Sequence, residues 1–434
     1  MCEEKNKGYG IAYDLGTTTL VGYLCSLEDR RVICTISRPN PQTEYGMDVL
    51  SRISYANEED ENRTQVINSL GDAVVIMTEE LLKSICQPAG YTCQPAGYAG
   101  QPAGYPICQR MVLVGNPVIM GFMDKYIHSC KKLSNLAKEL ILLPPIGGYV
   151  GADALIASYE VELVRDKKNA LLIDIGTNTE IVLLTNDVKL ATSAAAGPAL
   201  EGGNISCGMT GVDGAIDLVS VTEIVNGFSH EKDIVCHVIG DKPAKGICGS
   251  GILDLIRCLL DTGVINNTGY LFSKNEALSH GVPNKIAARI FEPEDMPEND
   301  NNIRFFRLTD TISISSEDIR AVQLAKSAIR SGIEMLILDK SLTDTVIDEL
   351  YLAGAFGNKI STDSLFDLGF VPEQISNGQC EIVQSGNLAG FGACHLVMEP
   401  EIITDVISLK NDTLTVSLAD SDEFQGMFYK YMDF

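Results

Sequence analysis

The sequence predicts an α/β protein built from one unit used twice, with two lobes and a cleft between them. Residues 8–25 read GYGIAYDLGTTTLVGYLC and residues 169–184 read NALLIDIGTNTEIVLL. Each stretch is an apolar run, an aspartate, an apolar residue, Gly-Thr-x-Thr and a second apolar run. That is the pattern of two strands joined by a glycine-containing turn. A third observation extends the repeat: far downstream of each hairpin comes an amphipathic stretch, then a short apolar run ending in glycine.

In chain order, the first hairpin precedes an amphipathic helix expected over Thr64–Ile85. Residues 86–108 follow as an extruded loop. They hold the pentamer Gln-Pro-Ala-Gly-Tyr three times, beginning at Gln87, Gln94 and Gln101. Proline and glycine in every copy exclude a regular helix or central strand. An expanded insert without a function is the preferred reading, against a binding arm that presents three tyrosines. Met111-Val-Leu-Val-Gly-Asn116 then reads as a short buried strand, with Pro117 placed for the first turn of a helix. In the second copy, Glu317–Lys340 carries Ile319, Val322, Leu324, Ala325, Ile329, Ile333 and Leu336 at helical spacing. Glu349-Leu-Tyr-Leu-Ala-Gly-Ala-Phe-Gly357 is the matching strand and glycine-rich turn, and an acidic loop covers Glu292–Asn302. The expected boundaries are a first lobe over 1–150, a second over 151–399, and a C-terminal segment, 400–434, packing on the body.

Composition excludes several classes. With 434 residues, 45% hydrophobic and 21% charged, the chain can bury a large core and is not disordered. It has no run of 18 apolar residues for a membrane span, and its first ten residues, MCEEKNKGYG, hold no secretion-signal core. The cytosol is the expected compartment. A net charge of −25 argues against nucleic acid as a partner. The thirteen cysteines include no C-x-x-C, and the five histidines form no H-E-x-x-H. Zinc ribbons, thioredoxin-like sites and iron–sulfur clusters therefore lack support. Neither a P-loop nor G-x-G-x-x-G occurs, so any nucleotide is held by other means.

The hairpins supply such means. Gly16 and Gly176 remove a Cβ, so a ligand oxygen can approach the amides of the turn. Thr17, Thr18, Thr19, Thr177 and Thr179 add hydroxyls and Asn178 an amide. A strand-end aspartate cannot bind phosphate, but Asp14 and Asp174 can hold Mg²⁺ through water.

With these motifs in place, the chain resembles the superfamily of acetate and sugar kinases, heat-shock chaperones, hexokinase and actin. The resemblance implies a two-lobed actin-like ATPase fold, a duplicated ribonuclease H-like unit, with ATP and Mg²⁺ as cofactors. Asp14-Leu-Gly-Thr-Thr-Thr19 and Asp174-Ile-Gly-Thr-Asn-Thr179 match its two phosphate motifs. Leu352-Ala-Gly-Ala-Phe-Gly357 is similar to its adenosine motif, implying nucleoside contact at Gly354, Ala355, Phe356 and Gly357. Gln323 and Lys326 fall where the superfamily touches the nucleoside from the preceding helix. Gly147-Gly-Tyr-Val-Gly-Ala-Asp153 resembles a connecting segment, making Asp153 a candidate for positioning water or Mg²⁺. Glu180 is either a base for water or a strand-face carboxylate.

Further strings narrow the family. Asn40-Pro-Gln42 with Tyr45-Gly-Met-Asp-Val-Leu-Ser-Arg-Ile53, Ala195-Ala-Gly-Pro-Ala-Leu-Glu-Gly202 with Ser206-Cys-Gly-Met209, Gly246-Ile-Cys-Gly-Ser-Gly251, Asp318-Ile-Arg-x-x-Gln-Leu-Ala-Lys326 and Gly386-Asn-Leu-Ala-Gly390 look like the reductive activators of corrinoid enzymes. The match runs from about residue 8 to the C-terminus. It implies ATP-driven reduction of a Co(II) corrinoid protein to Co(I) for a methyltransferase, through lobe closure coupled to ATP. Family members usually carry a ferredoxin module. Here seven residues precede the first hairpin and no cluster-ligand spacing exists, so electrons are expected from a separate ferredoxin-like donor and no iron–sulfur cluster from this chain. The alternatives are an activator of 2-hydroxyacyl-CoA dehydratases, a small-molecule kinase, or a non-enzymatic ATP-sensing partner. A homodimer stays open. The Gly202–Met209 loop could face the partner's corrinoid, or be a phosphate-side loop or a simple packing turn. Cys207 and Cys248 are read as inert thiols rather than redox groups, and His395 as structural.

Deleting Gln87–Tyr105 should leave the melting temperature and nucleotide affinity nearly unchanged, because loop-closure entropy varies slowly with length. A large loss of either would show that the tyrosines pack or recognise something.

Overall fold

The computed structural model describes residues 8–85, 108–226, 229–292, 303–337, 346–354, 360–376, 379–419 and 421–434. The pentamer repeats, most of the acidic loop, and Ala355, Phe356 and Gly357 lie outside the described residues. The chain divides into two compact units. The first holds 1–167, 184–191 and 387–415, and the second holds 168–183, 192–386 and 416–434.

The first unit is built on five strands: β1 (Tyr9–Leu15), β2 (Thr19–Ser26), β3 (Arg31–Pro39), β4 (Cys108–Gly115) and β5 (Ala137–Leu142). Their order is β3-β2-β1-β4-β5. The β1–β2 and β2–β3 pairs are antiparallel, and β1–β4 and β4–β5 are parallel. Alternation along β1 sorts its side chains. Ile11, Tyr13 and Leu15 face the core of the helix Asp60–Ile85, which presents Val66, Leu70, Val74, Met77 and Leu81 at helical spacing. Acidic Asp60 and Glu61 in its first turn and Lys83 in its last complement the helix dipole. The buried Tyr13 hydroxyl meets Thr78 Oγ1 at 2.7 Å, which satisfies a phenol that burial alone would penalise. Gly10, Ala12 and Asp14 face the other side, where the helices Ala152–Val164 and Leu388–Met398 pack.

The second unit repeats the pattern with β6 (Ala170–Asp174), β7 (Thr179–Leu184) and β8 (Lys189–Ala194). Two small sheets follow: β9 (Ala215–Asn226), β10 (Ser229–Val238) and β11 (Gly246–Ile247), ordered β10-β9-β11, then β12 (Ile290–Phe291), β13 (Phe305–Arg307) and β14 (Ser313–Ser315). With β15 (Glu349–Ala353) and β16 (Glu381–Gly386) the strand order of the main sheet is β16-β15-β6-β7-β8-β17, of which β17 (Thr413–Thr415) and the stretch 184–191 are counted with the first unit. Read from β8 to β16, its order repeats that of β3 to β5, and its β6–β15 and β15–β16 pairs are again parallel. The helix Ser316–Ile337 buries Ile319, Val322, Ala325, Ile329, Ile333 and Leu336. Leu324 departs from the expected apolar face and is 40% exposed, because five residues past Ile319 the helix has turned away from the core.

The boundaries differ from those expected at 150/151 and 399/400. The helix carrying Asp153 and the helix Leu388–Met398 both belong to the first unit, because both cover the sheet face behind β1 and β4. Arg110 of β4 fixes the second of them by donating to Val397 O at 2.9 Å.

The duplication extends to backbone register. Asp14 pairs with Val114 and Asp174 with Ala353, so each aspartate sits beside the residue preceding a strand-ending glycine, Gly115 or Gly354. A Cβ on Gly115 would lie 2.6 Å from Leu15 O, and one on Gly354, whose φ is +95°, would fall closer still on Ile175 O. Gly115→Ala should therefore cost about 1–3 kcal/mol in denaturant unfolding. Gly121→Ala, in the exposed face of the helix Pro117–Ser129 with nothing near its Cβ, should gain up to about 1 kcal/mol. Equal effects at the two positions would contradict the close approach.

Candidate functional site

The first hairpin turns through Gly16, Thr17 and Thr18, closed by Gly16 N donating to Thr19 O at 3.0 Å. All three carbonyls of the turn are held from behind. Asn40 Nδ2 donates to Gly16 O at 2.9 Å and Asn40 N to Thr18 O at 2.8 Å. Arg52 Nη2 donates to Thr17 O at 2.7 Å. Asn40 is itself held, since its Oδ1 accepts from Gln42 N, and Gln42 Nε2 reaches Val66 O in the long helix. From the other side Asn116, the cap of the helix Pro117–Ser129, accepts from Val118 N and Ile119 N and donates to Thr17 Oγ1 at 3.0 Å. The turn is rigid before any ligand arrives.

Beside it lie two carboxylates. Asn387, which caps the helix Leu388–Met398 through Gly390 N, donates its Nδ2 to Asp14 Oδ2 at 2.7 Å. Asp153, in the first turn of the helix Ala152–Val164, accepts from Ala154 N at 2.8 Å, and its carboxylate lies over Gly151. Burial pushes the Asp14 carboxyl up to about 6, against the opposing bond from Asn387. Burial, with the Asp14 charge adding to it, pushes Asp153 up to about 7. Neither carboxylate makes an ion pair among the described residues. Two crowded carboxylates without a cationic side chain suit a hard divalent cation, which completes its shell with water and phosphate oxygen.

The second hairpin differs in its surroundings. Asp174 ends β6, and Ile175 N donates to Ala353 O at 3.1 Å. Thr177 O accepts from Gly197 N, and Thr177 Oγ1 donates to Glu201 Oε2 at 2.5 Å. Thr179 Oγ1 reaches Gly176 O at 3.4 Å. A Cβ on Gly176 would lie 3.1 Å from Asn178 O. Glu180 is buried in β7 and accepts from Ser193 Oγ in β8 at 3.1 Å, so it is a carboxylate inside the sheet. The carboxylate at the turn is Glu201. A Cβ on Gly354 would also lie 2.9 Å from Asp174 Oδ1, so glycine leaves that aspartate its place.

Gln323 is buried, and its Nε2 has no hydrogen-bond partner among the described residues. Lys326, one turn on, is otherwise engaged: its Nζ donates to Tyr431 O at 2.8 Å and to Asp433 O, and lies over the Phe434 ring. Burial pulls this ammonium down to about 8. The Gly202–Met209 loop is tied to its neighbours by hydrogen bonds. Met209 N bonds Ile247 O, Ile247 N bonds Cys207 O, and Asp318 Oδ1 accepts from both Ser206 N and Ser206 Oγ. Cys248 is buried against Ile216 O, and Cys207 is half-buried. His395 Nδ1 sits 2.8 Å from Glu160 Oε1.

In the first unit the structure brings Asp14, Gly16, Thr17 and Asp153 to one locus. In the second it joins Asp174, Gly176, Thr177 and Gly354. Sequence reasoning gave no role to Asn40, Arg52, Asn116, Asn387 or Glu201. Four of them stand inside the short strings quoted above, while Asn116 was visible only as the residue before Pro117.

A β-sheet of order 3-2-1-4-5 used twice, with an aspartate at the end of each central strand and a glycine-threonine turn after it, defines the actin-like ATPase class. Two family models match. One is described as the C-terminal domain of RACo, the ASKHA domain, over residues 168–434, and the other as the RACo middle region, over residues 9–96. The chain belongs to the RACo family. It is 31% identical over 442 residues to the corrinoid activation enzyme RamQ of Eubacterium limosum, covering 97% of this chain and 70% of RamQ. It is 25% identical over 455 residues to the [Co(II) methylated amine-specific corrinoid protein] reductase of Methanosarcina barkeri, covering 97% of this chain and 76% of that one. A solved reductive activator for corrinoid, iron–sulfur protein shares 25% identity and a TM-score of 0.76 over 98% of this chain and 66% of its own. The chain thus spans about two thirds to three quarters of the length of these relatives.

Both crowded carboxyls titrate above the 3.8 of an ordinary aspartate. The folded state therefore prefers them protonated, a preference complete below that value and lost as pH rises through about 7. Asp153→Asn should raise the melting point of ligand-free protein at pH 8 by the equivalent of on the order of 1–2 kcal/mol. The gain should fade as pH drops toward 4. A variant no more stable than wild type at pH 8 would remove the crowding.

Proposed function

We propose that this chain is the ATP-hydrolysing body of a reductive activator. It drives a corrinoid protein from Co(II) to Co(I) for a methyltransferase, with the electron supplied by a separate ferredoxin-like donor in the cytosol. The observation that carries the reading is the pre-built first hairpin with Asp14 and Asp153 beside it, in a chain that matches corrinoid activators along nearly its whole length. ATP supplies the free energy of hydrolysis, and Mg²⁺ neutralises phosphate charge.

The chain's own groups do the rest. Gly16, Thr17, Thr18 and Thr19 in one unit, and Gly176, Thr177, Asn178 and Thr179 in the other, bind phosphate oxygens through amides and hydroxyls. Asp14 in the first unit and Asp174 in the second would each be able to hold a divalent cation through water, and Asp153 would position water beside Asp14. Glu201, rather than the sheet-bound Glu180, is placed to accept a proton at the second turn. Gln323, whose Nε2 has no partner among the described residues, and Gly354, with Ala355, Phe356 and Gly357 of the same motif, receive the nucleoside. Lys326 serves indirectly, fixing the C-terminal residues against the helix. Reduction of Co(II) is uphill for cellular donors, so the activator must bind one partner state more tightly and use ATP to leave it. No described helix is long and apolar enough to cross a membrane.

The purified protein should hydrolyse ATP slowly and only with Mg²⁺. Asp14→Ala and Asp174→Ala should each lower the rate at least about 10²-fold while the proteins stay folded. With a Co(II) corrinoid protein and a low-potential reductant, the Co(I) absorbance should develop only when ATP is present, and the partner should accelerate hydrolysis. Wild-type rates in both variants would remove the hairpin assignment. A rate indifferent to every corrinoid protein would remove the activator reading, and stoichiometric iron in the chain would remove the separate donor.

A further inference from the structure

Arg52 is fully buried, and among the described residues its hydrogen bonds go to neutral groups alone. Beyond Thr17 O, its Nε donates to Gly46 O at 2.9 Å and its Nη1 reaches Gln42 Oε1 at 3.5 Å. Asp48, one helical turn back, acts on it at a distance, but commits both of its oxygens to Ser51. Burial lowers the guanidinium to about 10, which leaves it cationic at neutral pH. Folded chains normally pair such a charge or replace it, because burial without a counter-ion is costly.

The position of the charge explains its retention. A trans peptide sets the N–H of one residue opposite the carbonyl of the residue before it. The carbonyls of Gly16, Thr17 and Thr18 all point back to Asn40 and Arg52. The positive ends of the same three peptide dipoles therefore point forward, away from Arg52, with a cation behind them. This is an anion-binding concavity with its own charge. The second hairpin, of the same sequence pattern, has the opposite neighbour, the Glu201 carboxylate on the Thr177 hydroxyl.

We propose that Arg52 is a positioning residue whose buried charge, acting through the Thr17–Thr18 peptide, makes the first hairpin the seat of the nucleotide's phosphate tail. The tail is the directly facing counter-ion that none of the described residues supplies. The inference rests on the ATP-binding reading and deepens it, because it assigns the greater anion affinity to one hairpin and to one residue behind it.

The test uses inorganic tripolyphosphate and adenosine, titrated calorimetrically into wild type, Arg52→Gln and Arg52→Lys. Glutamine keeps a donor for Thr17 O but no charge, and lysine keeps the charge without the planar fork. Arg52→Gln should lose at least about tenfold in tripolyphosphate affinity, with a weaker dependence on salt. Arg52→Lys should stay within about threefold of wild type. Adenosine affinity should be unchanged in both, which a general loosening of the fold would not allow. Wild-type tripolyphosphate affinity in Arg52→Gln overturns the proposal, and so do equal losses in the two variants or parallel losses for adenosine. If one variant does not fold, the other is compared with wild type by the same criteria. Failure of the wild-type protein to bind either ATP or tripolyphosphate would instead remove the ATP reading on which the proposal stands.

Discussion

In each unit the carbonyl of the residue after the aspartate, Leu15 at the end of β1 or Ile175 just past β6, abuts the glycine at the end of the neighbouring parallel strand. No side chain fits there, so the two strands can close at their ends. The rest of the site depends on that closure. It fixes Asp14 beside Val114 and Asp174 beside Ala353. It also fixes where each following turn begins. In the first unit the chain leaves Gly115 directly into Asn116, which caps a helix with one end of its side chain and holds Thr17 with the other.

The two hairpins share a sequence pattern and differ in electrostatic setting. The first is held by neutral amides and one buried cation, and the second has a carboxylate on its threonine hydroxyl. The same local pattern therefore sits in two different electrostatic settings, a cation behind one turn and a carboxylate on the other. Asp14 and Asp153 impose a complementary cost. Their crowding destabilises the ligand-free chain above neutral pH, where both carboxyls are pressed to ionise in a buried place.

Other family-like strings serve packing. The glycines of the Gly202–Met209 loop and of the Gly246–Gly251 turn let two backbones pair closely, through Met209 N to Ile247 O and Ile247 N to Cys207 O. Lys326 is held in a comparable way, with its ammonium on two carbonyls near the chain's last residues and Ser327 Oγ donating to Phe428 O beside it. A motif lysine on a buried helix face reads as a ligand contact in sequence. Here the C-terminal helix Asp422–Lys430 and the residues after it claim it first.

The sequence by itself determined the duplication, both hairpins and the strands and helices that follow them, because apolar periodicity and the glycine-threonine turns act over a few neighbouring residues. It also marked Asp14 and Asp174, whose placement at a strand end is a local matter. The partners of those residues were decided by tertiary structure. Asn387 reaches Asp14 from the far end of the chain, and Arg52 and Asn40 meet behind Thr17. Glu201 displaces Glu180 at the second turn, and the helices carrying Asp153 and Asn387 fold onto the first sheet rather than the second. A capping asparagine or a helix arginine satisfies the same local rules whether its second hydrogen bond goes to water or to a phosphate-binding turn. Only the three-dimensional packing of distant segments chooses between them.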